Sequence, residues 1–125
     1  MKNHVKIEDT IKNFKDDIYV SGDKSISIRC VLLASQAIGI SRIYNLLESE
    51  DVINSLISIK KLGINYKKIK NYYEIEGFGL GGYNTKKKIT LNAGNSGTFA
   101  RLILGLLVNS YNGIKIIGDK SLSSR

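Results

Sequence analysis

The sequence predicts a mixed α/β (α+β) fold built from units of strand, helix, strand, helix, strand, strand (βαβαββ), with one unit complete and a second in part. Three observations lead there. Apolar residues recur at helical spacing over residues 26–38, 52–62 and 99–108, whereas residues 64–69 and 72–76 alternate as half-buried strands do. Short strand-like runs stand at residues 18–20, 41–44, 89–91 and 114–117. Finally, two of these runs lead through small and polar residues straight into a helical pattern.

Taken in order, residues 1–17 are mostly polar, with Val5, Ile7, Ile11 and Phe14 as isolated apolar points. His4 has no metal-type or nucleophile-type companion and reads as a solvated residue. The strand at 18–20 opens the first unit, and the loop Ser21-Gly22-Asp23-Lys24-Ser25 feeds the first helix. Gly39 is the expected stop of that helix, since a left-handed residue commonly ends one. After the strand at 41–44, Ser49 and Glu50 introduce a second helix whose inner face is Val52, Ile53, Leu56, Ile57 and Ile59. Gly63 ends it. The strands at 64–69 and 72–76 are joined at Lys70-Asn71 as a hairpin. A second unit starts at Ile89, with a helix over 96–108 and a strand over 114–117.

The chemistry concentrates at the two strand-to-helix junctions. The stretch Asn92-Ala93-Gly94-Asn95-Ser96-Gly97-Thr98-Phe99-Ala100-Arg101 and the stretch Gly22 to Arg29 both place small residues at a helix start. There the first N–H groups lack partners and the helix dipole is positive, so phosphate or carboxylate is favoured. Lys24, Arg29 and Arg101 add cations, while Ser25 and Ser27 add hydroxyls that either cap the helix or bind a ligand oxygen. A helix cap with glycines needed only for the turn is the plain alternative. The tetrad Gly-Asp-Lys-Ser occurs twice, at Gly22 to Ser25 and at Gly118 to Ser121, and each copy has a Ser and an Arg at the same later distances.

Composition narrows the partners. The chain has 125 residues, room for one domain with a modest core, and its 42% hydrophobic and 24% charged content is that of a globular protein. The net charge of +8, from 19 basic and 11 acidic side chains, would attract anions of any kind. The lysines of 60–61, 67–70 and 86–88 nonetheless fall between strands without a nucleic-acid-binding motif, and read as a solvated face. Cys30, the single cysteine, has no internal disulfide partner and sits among apolar residues, which agrees with a small core residue in a reducing compartment. No run approaches a membrane span, the start has no signal-peptide core, and no metal-ligand or cofactor pattern is present.

The ordered landmarks carry a resemblance. Gly22 to Arg29, Asn45-Leu46-Leu47 with Ser49 and Asp51, Gly77-Phe78-Gly79-Leu80, Gly94 to Thr98 with Arg101, and Gly118 to Arg125 resemble the landmarks of the 3-phosphoshikimate 1-carboxyvinyltransferase (EPSP synthase) family. The resemblance runs from about Tyr19 to Arg125 and covers only the front of a family chain. It implies the enolpyruvyl transferase fold, with residues 1–16 as a leading segment that packs with a second domain and residues 17–125 as part of the first, on the shikimate 3-phosphate side. It further implies a cytoplasmic, monomeric enzyme of aromatic amino-acid biosynthesis that uses no cofactor.

Residue by residue, the resemblance assigns Lys24, Gly97 and Arg125 to phosphoenolpyruvate, and Lys24, Ser25 and Arg29 to shikimate 3-phosphate. Asn95, Thr98 and Arg101 support them. No general acid or base is assignable, because the family takes those groups from its second domain, so the 125-residue chain is expected to be inactive and poorly stable alone. Ile28 stands where many members have histidine or asparagine, and Ser21 replaces a common proline. Two other readings stay open: a free-standing anion-binding or regulatory module, and a small basic nucleic-acid-binding protein. The related transferase acting on UDP-N-acetylglucosamine is disfavoured by the Lys24-Ser25 pair and the lack of its cysteine loop.

Overall fold

A computed structural model describes residues 6, 8, 10, 12, 13 and 15–125. His4, Val5, Ile7, Ile11 and Phe14 lie outside the described residues. Among the described residues the order is α1 (Lys24–Gln36), β1 (Ile38–Tyr44), α2 (Glu50–Lys61), β2 (Asn65–Ile69), β3 (Tyr72–Phe78), β4 (Ile89–Asn92), α3 (Gly97–Leu106), β5 (Ile114–Ile117) and α4 (Lys120–Ser123). The mixed α/β (α+β) class expected from periodicity is the class observed.

Strand β3 is the centre of a three-stranded antiparallel sheet in the order β1-β3-β2, and β4 pairs with β5 in parallel across α3. Alternation decides which side of the first sheet is covered. Tyr73 and Ile75 on β3 face the helices and are buried, while their neighbours Tyr72, Glu76 and Phe78 point away. Gly77 continues the inner row. A Cβ there would lie 2.3 Å from the Ala37 carbonyl oxygen and 2.4 Å from that of Ala34, so its lack of a side chain lets the end of α1 rest on the strand.

The helices meet over this sheet through Ile28, Val31 and Leu32 of α1 and Val52, Leu56 and Ile59 of α2, all buried. Leu91 of β4 and Phe99 and Ile103 of α3 close the same core with no exposed surface. The i, i+4 spacing of Phe99 and Ile103, continued to Leu107 just past the helix, gives α3 a covered face. Along the same helix Leu106 is half-buried and Leu102 is exposed.

Several boundaries differ from the sequence reading. Residues 18–20 form no strand, and Ile18, Tyr19 and Val20 are 72%, 92% and 76% exposed. A strand needs a ladder partner for its backbone groups, and no described edge pairs with these residues, so the first unit lacks its opening strand. The first helix starts earlier, at Lys24, because Asp23 caps it: its Oδ1 accepts from the Ile26 N–H at 2.7 Å. It also stops earlier, and β1 runs through Gly39, whose φ of +90° lies inside the strand rather than at a helix end. Gly63, with the same φ, does end α2. Lys70, at φ 37°, forms the expected hairpin turn. Cys30 is only partly buried, beside Ile43 and Asn45, rather than in the core.

The outer side of the sheet holds an ion cluster. Glu74 Oε1 is 3.0 Å from Arg42 Nε and Oε2 is 2.9 Å from Lys67 Nζ, and the register puts Arg42 and Lys67 directly opposite Glu74 on the two edge strands. Lys67 first, then Arg42, holds the carboxyl below its ordinary value of 4.5. A depressed acid stabilises the fold above the unfolded value and loses that contribution as the pH falls through the folded one. Glu74→Gln is therefore expected to flatten the acid limb of a plot of melting temperature against pH, starting from about pH 4.5. An unchanged acid limb would show that the cluster is not coupled to folding.

Candidate functional site

Three connections that are far apart in sequence are brought together at one edge of the core. The first is the start of α1, seated by Gly22, where a Cβ would lie 2.1 Å from the Asn45 carbonyl oxygen. The Leu47 N–H donates to Ser27 Oγ at 3.0 Å, which ties the same helix turn to the segment leading into α2. The second is the loop between β4 and α3, where Ser96 Oγ accepts from the Phe99 N–H at 3.0 Å as the cap of α3. Gly94 takes φ 55° there, in the left-handed region that favours glycine. The third is the turn from β5 into α4, fastened by the Asp119 N–H donating to the Gly94 carbonyl at 2.9 Å.

Side chains knit the three together. Lys24 Nζ donates to Asp51 Oδ2 at 2.8 Å, and the other oxygen of Asp51 accepts from the Asn95 N–H at 3.3 Å. Asn95 then reaches the third connection. Its Nδ2 donates to Asp119 Oδ2 at 2.6 Å, and its Oδ1 accepts from Arg125 Nη2 at 2.9 Å. Arg125 Nη2 also donates to Ser121 Oγ at 3.1 Å. A Cβ on Gly97 would stand 3.8 Å from Arg125 Nη1, so that guanidinium lies alongside the start of α3. The result is a continuous polar chain: Lys24, Asp51, Asn95, then Asp119 and Arg125.

The repeated Gly-Asp-Lys-Ser tetrad has a structural explanation. Asp119 Oδ1 accepts from the Leu122 N–H at 2.7 Å, the same capping bond that Asp23 makes to Ile26, so each copy starts a helix. That bond is the main cause holding the Asp119 carboxyl below its ordinary 3.8, with Asn95 and Arg125 adding to it. Asp119 is thus charged at neutral pH and is joined to Arg125 through the Asn95 amide.

Of the residues singled out in the sequence, Lys24, Asn95 and Arg125 meet in this chain, with Gly97 beside Arg125. Ser25 and Thr98 are part-exposed in the first turns of α1 and α3. Arg29 and Arg101 stand further along those helices, exposed and without an ion pair among the described residues. Sequence reasoning did not give a role to Asp51, which joins two of the three connections. Its position in the acidic first turn of α2, Glu50-Asp51, explains it as helix support and hides the second use.

No group of three metal-ligating side chains occurs among the described residues. No described helix is long and apolar enough to cross a membrane. A separate basic cavity of about 470 Å³ is lined by Lys60, Lys61, Lys87 and Lys88. Elsewhere Lys67 and Lys68 are paired with Glu74 and Glu48, so part of the basic face is neutralised locally.

Comparison with known proteins shows a family. The family model described as EPSP synthase (3-phosphoshikimate 1-carboxyvinyltransferase) matches residues 8–125. The 3-phosphoshikimate 1-carboxyvinyltransferase of Streptococcus pyogenes serotype M1 is 45% identical over 108 residues, covering 86% of this chain and 25% of that protein. That of Streptococcus mutans serotype c is 37% identical over 121 residues, covering 97% and 28%. The solved EPSP synthase from Acinetobacter baumannii superposes with a TM-score of 0.78 at 33% identity, over 86% of this chain and 24% of that one. The chain therefore spans about a quarter of the length of the relatives it matches.

Proposed function

The chain belongs to the EPSP synthase family, and on that premise we propose that it supplies the shikimate 3-phosphate side of the substrate cleft of a 3-phosphoshikimate 1-carboxyvinyltransferase. Residues 17–125 form part of the first domain in this reading, and residues 1–16 lead in from the second. The whole enzyme would be cytoplasmic and monomeric and would transfer the enolpyruvyl group of phosphoenolpyruvate to shikimate 3-phosphate. Lys24, Gly97 and Arg125 serve phosphoenolpyruvate; Lys24, Ser25 and Arg29 serve shikimate 3-phosphate; Asn95, Thr98 and Arg101 support them.

The observation that carries this reading is the convergence of the α1 start, the α3 start and Arg125 through Asp51 and Asn95. Both substrates are strongly anionic. Two helix starts with a lysine and an arginine between them neutralise such charge while fixing its direction. Holding the acceptor hydroxyl against the enol double bond is then a matter of orientation, which converts an encounter between two substrates into a local one.

Calorimetry with shikimate 3-phosphate tests the proposal. Lys24→Ala and Arg29→Ala are each expected to weaken binding about tenfold, in keeping with the loss of a charge-assisted hydrogen bond. Equal affinity in all three chains would remove it. Oligonucleotide binding with a steep salt dependence, indifferent to both substitutions, would favour the nucleic-acid reading instead.

Addition and elimination at an enol ether also need a proton donor and acceptor. The carboxylates of the cluster are committed elsewhere: Asp51 to Lys24 and the Asn95 N–H, Asp119 to the Leu122 N–H and Asn95. The 125-residue chain alone is therefore expected to bind without turnover. Release of inorganic phosphate from the two substrates, abolished by Lys24→Ala, would show otherwise.

A further inference from the structure

We propose that Asp51 sets the affinity of the anion site: its carboxylate shares Lys24 with the incoming ligand and weakens binding in proportion to the ligand's charge. The proposal rests on the anion-binding reading above and adds a residue that opposes the ligand. Asp51 is 8% exposed, at the first turn of α2, where the helix dipole favours a negative charge. Lys24 Nζ lies 2.8 Å from Oδ2, with the lysine side chain still 50% exposed, so its remaining donors are open to solvent. The β4–α3 loop closes over the same carboxylate: the Asn95 N–H reaches Oδ1, and a Cβ on Gly94 would lie 3.4 Å from that oxygen and 2.8 Å from Asn54 Nδ2.

A negative charge is therefore built into the spot where the α1 and α3 starts meet. An anion that takes a hydrogen bond from Lys24 on its open side sits roughly 4.5–5 Å from Asp51 Oδ2, because two donors of one ammonium diverge at about the tetrahedral angle. At that separation each ligand charge is repelled by enough to cost about fourfold in affinity even in a watery dielectric. A dianion is opposed about twice as strongly on the free-energy scale, hence about fifteenfold. Asp51 also tethers Lys24, which works in favour of binding, but the tether does not depend on ligand charge. Charge dependence thus separates the two roles. A site that holds multiply charged ligands must also release a charged product, and a fixed charge of the same sign as the ligand is one means of keeping both possible.

Calorimetry on the 125-residue chain at low salt provides the test, with inorganic phosphate at mildly alkaline pH as the dianion probe and acetate as the monoanion probe. Asp51→Asn is expected to tighten phosphate binding about fifteenfold and acetate about fourfold, and the gain should shrink in concentrated salt. Asp51→Glu keeps the charge and should give no gain. Asp51→Ser repeats the neutral change in case asparagine disturbs the loop. A folded neutral variant that binds phosphate equally or more weakly overturns the proposal, since damage to the structure lowers affinity and does not raise it. If neither neutral variant folds, the carboxylate is a structural tie and the proposal fails as well. Phosphate binding that is indifferent to Lys24→Ala would instead sink the underlying anion-site reading. Lys24-dependent binding with no gain at position 51 leaves that reading in place and removes this one alone.

Discussion

Phe99→Ala is expected to lower the unfolding free energy by about 3–5 kcal/mol, the range for truncating a buried phenylalanine. Phe99 has no exposed surface and is the largest fully buried side chain among the described residues. It stands in the first turn of α3, where its N–H is held by Ser96 Oγ at 3.0 Å, so the backbone cannot slide inward to refill the space. Even an ordinary domain holds only about 5–15 kcal/mol, and a chain expected to be poorly stable alone has still less margin. Urea unfolding followed by circular dichroism should place the variant's midpoint far below that of the parent, or show no native baseline. A loss under about 1 kcal/mol would mean that α3 is not packed on the common core as described. Leu102→Ala on the same helix is the control. Leu102 is 42% exposed, and its truncation should cost much less.

Gly22→Ala is expected to damage both folding and binding. The added Cβ would lie 2.1 Å from the Asn45 carbonyl oxygen and 3.2 Å from the Leu47 nitrogen, atoms of backbone that cannot rotate away. Relief needs α1 to withdraw by about 1 Å, and overpacking of this kind costs up to about 3 kcal/mol. The same withdrawal strains the Leu47 N–H bond to Ser27 Oγ and moves Lys24 relative to Asp51. If the proposed function holds, shikimate 3-phosphate affinity should therefore fall together with the melting temperature. Gly113→Ala has open space around its Cβ and should leave both near the parent value. A Gly22→Ala chain with parental stability would show that the α1 seat is softer than its geometry implies.

The difference between what could and could not be read from the chain is visible at particular residues. The apolar spacing of Val52, Leu56 and Ile59 defines the inner face of α2 without outside help, because a helix repeats every 3.6 residues whatever surrounds it. The alternation of β2 and β3 and the turn at Lys70 are equally local. The opening strand at 18–20 was misjudged for the opposite reason: apolar residues favour a strand but do not supply the edge that it must pair with. Gly39 looked like a helix stop because positive φ suits a helix end, yet the same φ is accommodated inside β1. The start of α1 was placed two residues late because Asp23 was read as loop rather than as the cap it is.

By itself, then, the sequence determined the mixed class, the main helices, the paired strands β2 and β3 and the two small-residue helix starts, since propensity, capping and turn chemistry act over a few neighbouring residues. It also drew attention to Lys24, Asn95, Gly97 and Arg125 as polar or small residues in loops. Only the tertiary structure decided that Lys24 and Asn95 meet on one carboxylate, that this carboxylate is Asp51, and that Arg125 closes on Asn95. The contacting residues are separated by 27, 44 and 30 positions. No periodicity reaches across such distances; the pairing is set by how α1, α2 and α3 pack through Ile28, Leu56 and Phe99, and a carboxylate in the first turn of one helix becomes the junction of a polar cluster when a second loop is packed against it.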